Sequence, residues 1–125
     1  MRTFPKIEKL CGQLRIKALY QEGRKLTVWP FRIHCRFPEQ GTPPSETKVL
    51  IWAPKSLFKH AVDRNRMRRL MREAYRLNKD EVEQRGWEVS FNYMDKEQQS
   101  FQQLEKAMKR ALKRLVEEEE KQWEK

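Results

Sequence analysis

The sequence has few of the residue types from which enzymes build metal sites and phosphate-binding loops. Its 125 residues include only two cysteines, two histidines and four glycines. Cys11 and Cys35 are too few for a disulfide framework or a zinc site, and two free thiols fit a reducing compartment. There is no H-x-x-x-H pair, no paired-cysteine spacing and no glycine-rich phosphate loop. We therefore expect no catalytic side chain, no metal site and no cofactor bound by the protein itself.

Long apolar runs are also missing. No window approaches the roughly eighteen consecutive apolar residues that span a bilayer, and the segment 1–6 leads into no apolar signal region. We therefore expect a soluble, cytoplasmic protein with no membrane partner. Four tryptophans, six phenylalanines and three tyrosines still supply bulky core material, which suits a single domain over residues 1–125.

Positive charge is plentiful. Twenty-eight Lys and Arg residues against eighteen Asp and Glu residues give a formal net charge of +10. A surplus of this size favours an anionic partner such as nucleic acid.

The segment 61–76 carries the most strongly patterned part of that charge. As a helix it places its apolar residues on one face and most of its basic residues on the other. The apolar residues are Met67, Leu70, Met71 and Ala74, and the opposite face holds Asn65, Arg68, Arg69, Arg72 and Arg76, with Arg64 and Arg66 on the flanks. Solvated faces usually alternate in sign, but only Asp63 and Glu73 oppose this run. Arginine can grip two phosphate oxygens at once, so the pattern favours RNA or DNA over a merely solvated face.

The remaining periodicities predict an α+β domain with the order helix, strands, helix, strand, helix. The predicted helices cover about 13–22, 61–78 and 97–120, and the predicted strands lie within 24–37, 48–53 and 87–94. Pro30 divides the first extended segment, and the proline-containing segment 38–47 is expected to be a loop. The acidic run in 117–125 is expected to be a frayed, solvated tail.

Strand alternation separates two faces of the predicted sheet. If Phe31, Ile33, Cys35 and Phe37 point to the core, then Arg32, His34 and Arg36 point to the other side. Leu50 and Trp52 share that second side if the two strands pair in the expected register. With Tyr20, this side offers aromatic and basic groups suited to an unstacked nucleic-acid strand. The alternative is that Trp52 and Tyr20 simply pack against each other as a minor core.

One segment resembles the signature of a known family. Ala61-Val62-x-Arg64-Asn65-Arg66-x-x-Arg69-Leu70-x-Arg72-Glu73-Ala74 closely resembles that of the bacterial ribonuclease P protein component. Ile16-x-x-Leu19-Tyr20-x-x-Gly23 is similar to the family's first helix, and Phe101-x-x-Leu104-x-x-x-Met108 is similar to its last.

The resemblance implies an αβββαβα sandwich and a ribonucleoprotein role. Such a protein binds a catalytic RNA and the 5′ leader of precursor tRNA, and thereby promotes endonucleolytic 5′ maturation of tRNA. The RNA subunit, with bound Mg²⁺, would hydrolyse the phosphodiester bond.

Matching positions carry two sets of expected contacts. The RNA-subunit set is Lys55, Arg64, Asn65, Arg66, Arg68, Arg69 and Arg72, to which helical geometry adds Arg76. The leader set takes Ile16, Tyr20 and His34 from the family cleft and Arg32, Arg36 and Trp52 from strand alternation. The chain departs from the family at Ser56, often a lysine, at Ile16, often an aromatic, and at His34, often a tyrosine. Stacking on bases is therefore expected to depend mainly on Tyr20.

Two other classes of function remain open at this point. A ribosomal protein or a stand-alone RNA chaperone would also be small, basic and free of catalytic residues, although such proteins more often spread their charge into tails. A DNA-binding regulator is a weaker alternative. The seven positive side chains of the RNA-subunit set leave little room for the polar contacts that distinguish bases. We therefore expect RNA partners and no DNA partner.

Overall fold

The fold follows the predicted order of helices and strands. In the computed structural model the described residues are 13–124, so Cys11 and the segment 1–6 lie outside them. The elements are α1 (Gln13–Glu22), β1 (Arg24–Val28), β2 (Phe31–Arg36), β3 (Lys48–Trp52), α2 (Ala61–Asn78), β4 (Glu88–Tyr93) and α3 (Phe101–Trp123). This is the α+β order αβββαβα, as the resemblance implies.

The four strands form one mixed sheet in the order β1-β2-β4-β3. β1 pairs with β2 and β2 pairs with β4 in antiparallel fashion, whereas β3 and β4 are parallel and joined by the crossover through α2. β2 and β3 therefore do not pair directly, because β4 lies between them. The predicted sharing of a face is nevertheless correct, since His34 and Leu50 both stand opposite Ser90 of β4.

The main core lies between one face of the sheet and the helices α2 and α3. From the sheet, Phe31, Ile33 and Phe91 are fully buried. α2 contributes the predicted apolar stripe, in which Met67 and Met71 are inaccessible to solvent. Burial of large apolar side chains stabilises such a domain by about 1.5–3 kcal/mol per residue, and it fixes the face that α2 turns outward.

α1 covers the opposite face of the sheet. Its anchor is Leu19, which is inaccessible to solvent. The chain leaves α1 at Gly23, whose backbone N–H donates to the Leu19 carbonyl at 2.9 Å. A Cβ at position 23 would lie 2.4 Å from that oxygen and 2.9 Å from the Cys35 carbonyl oxygen. Glycine is therefore needed here because two backbone segments pass too close for a side chain.

α3 begins and ends later than predicted. It begins at Phe101 because Ser100 and Gln103 form a reciprocal capping box. It continues to Trp123, so the prediction of a frayed tail over 117–125 is wrong for 117–123.

The reason is that the acidic run has partners. Buried Glu119 accepts hydrogen bonds from Trp87 Nε1 at 2.8 Å and from Arg85 Nη1 at 2.9 Å. Glu118 pairs with Arg114 at 3.1 Å, and a hydrogen bond from this guanidinium is the main reason the pKa of Glu118 is lowered. The last turns of α3 are therefore part of the folded domain.

Candidate nucleic-acid interface

The arginine face of α2 is the outward side that carries Asn65, Arg66, Arg68, Arg69 and Arg72. Of these, Asn65, Arg66 and Arg69 are exposed and the other two are half-buried. Arg66 Nη1 donates to Gln98 Oε1 at 2.7 Å, and Arg68 Nη2 donates to Asn65 Oδ1. Neither acceptor is charged, so these bonds orient the guanidinium groups without neutralising them.

Like charges are crowded on this face. The pKa of the Arg72 guanidinium is lowered mainly by burial, and the charges of Arg68 and Arg69 lower it further. These two neighbouring charges therefore place Arg72 in a positive field. Such a field attracts anions, because a bound phosphate relieves the repulsion.

The predicted contacts at the two ends of α2 differ from those in its middle. At the start, Arg64 Nη1 donates to the carbonyl oxygen of Phe58 at 3.0 Å and thus holds the turn before the helix. Lys55, in the connection from β3, is exposed. At the end, Arg76 forms two hydrogen bonds with Glu73, which raise the pKa of Arg76 and lower that of Glu73. The charge of Arg76 is therefore largely balanced inside the protein.

The second surface is the cleft, defined as the sheet face under α1 together with Ile16 and Tyr20 of that helix. Its floor consists of three cross-strand rows, each running from β2 through β4 to β3. The rows are Arg32–Asn92–Trp52, His34–Ser90–Leu50 and Arg36–Glu88–Lys48. Both predicted leader-binding strands are thus brought together, and β4 supplies the polar residues between them.

Tyr20 joins α1 to the middle of this floor. Its hydroxyl group lies 2.8 Å from Ser90 Oγ and donates to Asn92 Oδ1 at 3.0 Å. Its ring meets the His34 ring edge to face, with centroids 4.4 Å apart. Among residues 13–124, the ring of Tyr20 therefore packs on His34, and not on Trp52 as in the alternative.

His34 lies at the bottom of the cleft and is 8% exposed. Its Nδ1 atom has no hydrogen-bond partner among residues 13–124. Burial, followed by the nearby charges of Lys25 and Arg32, lowers the pKa of the imidazole. Burial therefore disfavours the charged imidazole, and the Nδ1 atom, which is itself shielded from solvent, is left without a partner in the described part of the fold.

Trp52 lies where the two surfaces meet. Its side chain is 45% exposed at the end of β3. The guanidinium carbon of Arg68 lies 5.4 Å from the centre of its ring, a distance typical of a cation–π contact. The arginine face and the cleft are thereby continuous.

The far end of the cleft is different in charge. Arg36 lies 3.9 Å from Glu22 and 3.8 Å from Glu88, and Arg15 lies 3.2 Å from Glu88. Arg15, Arg36 and Glu88 border a cavity of about 240 Å³. Arg32 and Arg36 were both predicted to contact the leader and both are exposed, but the charge of Arg36 is shared with two carboxylates.

Comparison with known proteins assigns the chain to a family. A sequence model of ribonuclease P matches residues 4–116. The chain belongs to the ribonuclease P protein family. The ribonuclease P protein component of Porphyromonas gingivalis is 33% identical over 117 residues, which cover 89% of this chain and 85% of that protein.

Solved structures from the same family share the fold. The RNase P protein of Thermotoga maritima matches with a TM-score of 0.71 at 22% identity, over 86% of this chain and 96% of that one. The RNase P protein of Staphylococcus aureus also gives 0.71, at 17% identity, over 86% and 94% of the two chains. Family membership makes this chain a subunit of a tRNA-processing ribonucleoprotein that acts together with the ribonuclease P RNA, so the ribosomal-protein and chaperone alternatives are not favoured.

Within this ribonuclease P protein, sequence reasoning missed two cleft residues. Ser90 and Asn92 form hydrogen bonds with Tyr20 and occupy the central strand of the floor. Alternation along β4 indicated that they face away from the core. What alternation could not show is that β4 lies between the two predicted leader-binding strands.

Proposed function

We propose that this chain binds the catalytic RNA of ribonuclease P through the arginine face of α2. We propose further that its cleft holds the 5′ leader of precursor tRNA, which promotes endonucleolytic maturation of the tRNA 5′ end. The observation that carries this proposal is the contact between Trp52 and Arg68, because it makes a phosphate-binding surface continuous with an aromatic one.

The arginine face suits a folded RNA. Its guanidinium groups are oriented by neutral acceptors and retain their charge. Contacts of this kind fix the position of an RNA through its phosphates, and they make its affinity strongly dependent on salt.

The cleft suits a single strand. Tyr20 offers a ring fixed by two hydrogen bonds of its hydroxyl group, and His34 supports that ring by an edge-to-face contact. Trp52 adds an exposed aromatic face in the same cross-strand row as the exposed Arg32. Unpaired bases stack on such side chains, whereas paired bases cannot reach them.

The chemical step is assigned to the RNA subunit. In this division of labour the protein supplies binding and orientation, and Mg²⁺ belongs to the RNA. Among residues 13–124, no three His, Cys, Asp or Glu side chains lie together as a metal site, and no helix in that range has the length and apolarity needed to cross a membrane. We place the complex in the cytoplasm, where precursor tRNA is made.

The test replaces Arg68 and Arg69 together by alanine in the complex with the RNA that co-purifies with the protein. Each lost phosphate contact is expected to flatten the dependence of log K on log salt by about 0.7–0.9. The unfolding midpoint should fall only slightly, because both side chains lie outside the core and the Arg68–Trp52 contact that is lost contributes about 0.5–1 kcal/mol.

Arg76→Ala is the matched control. It removes one arginine of the same helix, but one already balanced by Glu73, so its effect on the salt dependence should be smaller. An unchanged affinity and slope in the Arg68/Arg69 variant would show that the face is merely solvated. Sequencing the co-purifying RNA is an independent check: one large structured RNA with 5′-extended tRNA precursors is expected, and ribosomal RNA would contradict the proposal.

A further inference from the structure

A second basic surface lies on α3, away from both surfaces described above. Four cations occur at the spacing that places them on one side of a helix, and all four are exposed. They are Lys106, Lys109, Arg110 and Lys113, which we call the α3 stripe. The opposite side of the same helix carries Leu104, Met108 and Leu115, which are inaccessible to solvent. The stripe therefore points outward from the core.

The α3 stripe contrasts with the basic residues that follow it on the same helix. Arg114 and Lys121 lie 3.1 and 3.6 Å from Glu118, so each has a carboxylate of the protein as a partner. Within residues 13–124, no member of the stripe has an ion pair within 4 Å. This includes Lys109 and Lys113, although they border a groove of about 500 Å³ together with Asp80 and Glu81. Glu117 lies one helical turn beyond Lys113 and forms no such ion pair with the stripe. The four positive charges are therefore available to an anionic partner.

An exposed aromatic side chain accompanies the stripe. Trp29, in the turn between β1 and β2, is 55% exposed. Arg110 Nη2 donates to its carbonyl oxygen at 3.2 Å, which fixes the guanidinium group beside this turn. Cations next to an exposed indole can bind a phosphate backbone and an unpaired base together.

The position of the stripe separates it from the first two surfaces. α3 reaches the β1 edge of the sheet, where Glu118 pairs with Arg24. The arginine face of α2 reaches the opposite edge, where Arg68 contacts Trp52 of β3. The three gaps between four strands place these edges about 14 Å apart. The α3 stripe, which reaches the β1–β2 turn through Arg110, is therefore a surface distinct from the arginine face and the cleft.

We propose that the α3 stripe and Trp29 bind the sugar–phosphate backbone of a second RNA segment in the ribonuclease P complex, with an unpaired base stacked on Trp29. This inference rests on the proposed function in that it takes RNA as the partner. A lipid surface fits less well, because the apolar side of α3 is buried in the core and cannot enter a membrane.

The experiment replaces Lys106 and Lys109 by alanine in the full chain and measures assembly with its co-purifying RNA over a range of salt concentrations. Each lost contact should reduce the salt slope by about 0.7–0.9. Arg114→Ala with Lys121→Ala is the matched control, since it removes two cations from the same helix that are ion-paired with Glu118. Alanine suits a helix interior, so unfolding midpoints should be retained in both variants.

Trp29→Ala should weaken assembly without changing the salt slope, because stacking involves no phosphate. Equal slopes for the stripe variant and its control would overturn the proposal. The proposal would also be overturned if the stripe variant kept its RNA salt slope but lost binding to phosphatidylserine vesicles, because that result would indicate a lipid partner. The Arg68/Arg69 variant in the same assay separates this inference from the proposed function. If that variant loses RNA affinity and the stripe variant does not, the proposed function stands and this inference alone is refuted.

Discussion

The arginine face and the cleft handle charge in opposite ways. On the arginine face, Arg66 and Arg68 are held by neutral amide oxygens, and burial together with neighbouring arginines lowers the pKa of Arg72. In the cleft, Arg36 is paired with Glu22 and Glu88, and the buried aromatic groups are fixed by hydrogen bonds and ring contacts.

The difference separates two tasks in RNA binding. An uncompensated row of guanidinium groups gives affinity for any closely spaced phosphates and no preference for sequence or strandedness. A partly neutralised cleft with aromatic side chains gives up some of that affinity and selects unpaired bases instead. Substitutions that act on one surface and spare the other test this division.

Leu19→Ala should detach the cleft while leaving the arginine face in place. Leu19 anchors α1 and is inaccessible to solvent, so the free energy of unfolding should fall by about 2–5 kcal/mol. Binding of the leader should be lost, whereas binding of the RNA subunit should persist in the fraction that remains folded. Leu14→Ala, in the same helix but 84% exposed, is the control and should change stability by less than about 0.5 kcal/mol. Equal destabilisation by the two variants would contradict the anchoring role.

Tyr20→Ala should weaken binding of leader-bearing precursor tRNA and leave mature tRNA nearly unaffected. A stacked base contributes about 1–3 kcal/mol, or roughly 5- to 150-fold in affinity. Tyr20→Phe keeps the ring and removes only the hydroxyl bonded to Ser90 and Asn92, so it should retain most of the affinity. Both affinities are measured beside the unfolding midpoint. Equal losses for the two RNAs, or a fall in midpoint that accounts for the loss, would show that Tyr20 serves packing alone.

Trp52→Ala and Arg68→Ala should be energetically coupled. A partly exposed cation–π contact stabilises a protein by about 0.5–1 kcal/mol, and the double-mutant cycle on the free energy of unfolding should return a coupling of that size. Trp52→Ala with Arg69→Ala is the reference cycle, because no contact joins that pair among the described residues. If the two substitutions change the free energy of unfolding additively in both cycles, Trp52 and Arg68 are adjacent but do not stabilise each other.

The smallest expected effect concerns pH. The pKa of His34 in the folded protein lies below its ordinary value of 6.5, so in the interval between these values the unfolded chain binds more protons. The free energy of unfolding should therefore fall as pH drops through 6.5 and stop falling below the folded pKa.

His34→Gln should remove this pH dependence, measured by denaturation between about pH 8 and pH 5. Glu73 and Glu118 have lowered pKa values and lose their contribution only below their ordinary value of 4.5, so they act outside most of this range. The same pH dependence in the variant would exclude His34 as its source.

Local patterns in the sequence predicted most of the elements. α1 and α2 lie where predicted because an apolar stripe and a terminating residue, Gly23 or Asn78, define each helix locally. Pro30 separates β1 from β2 as expected. Helical periodicity also predicted which side of α2 is buried, with Met67, Met71 and Ala74, and therefore which side carries the arginines outward.

Features that depend on distant partners were not predictable in this way. The acidic run was interpreted as solvated because nothing near it in sequence explains a buried carboxylate. Its partner Trp87 lies 32 residues away, on a segment whose place beside α3 depends on the whole fold. The same limit applies to Ser90 and Asn92, whose role depends on the insertion of β4 between β2 and β3.

The hydrogen bond between Trp87 and Glu119 joins the last turns of α3 to a segment 32 residues earlier in the chain. Glu119 is 1% exposed and accepts from the indole N–H of a tryptophan that is itself inaccessible to solvent. A chain shortened before Glu119 would leave that N–H buried without this acceptor, at a cost of about 1–3 kcal/mol. The acidic end of α3 is therefore a structural requirement of the core rather than a solubilising appendage.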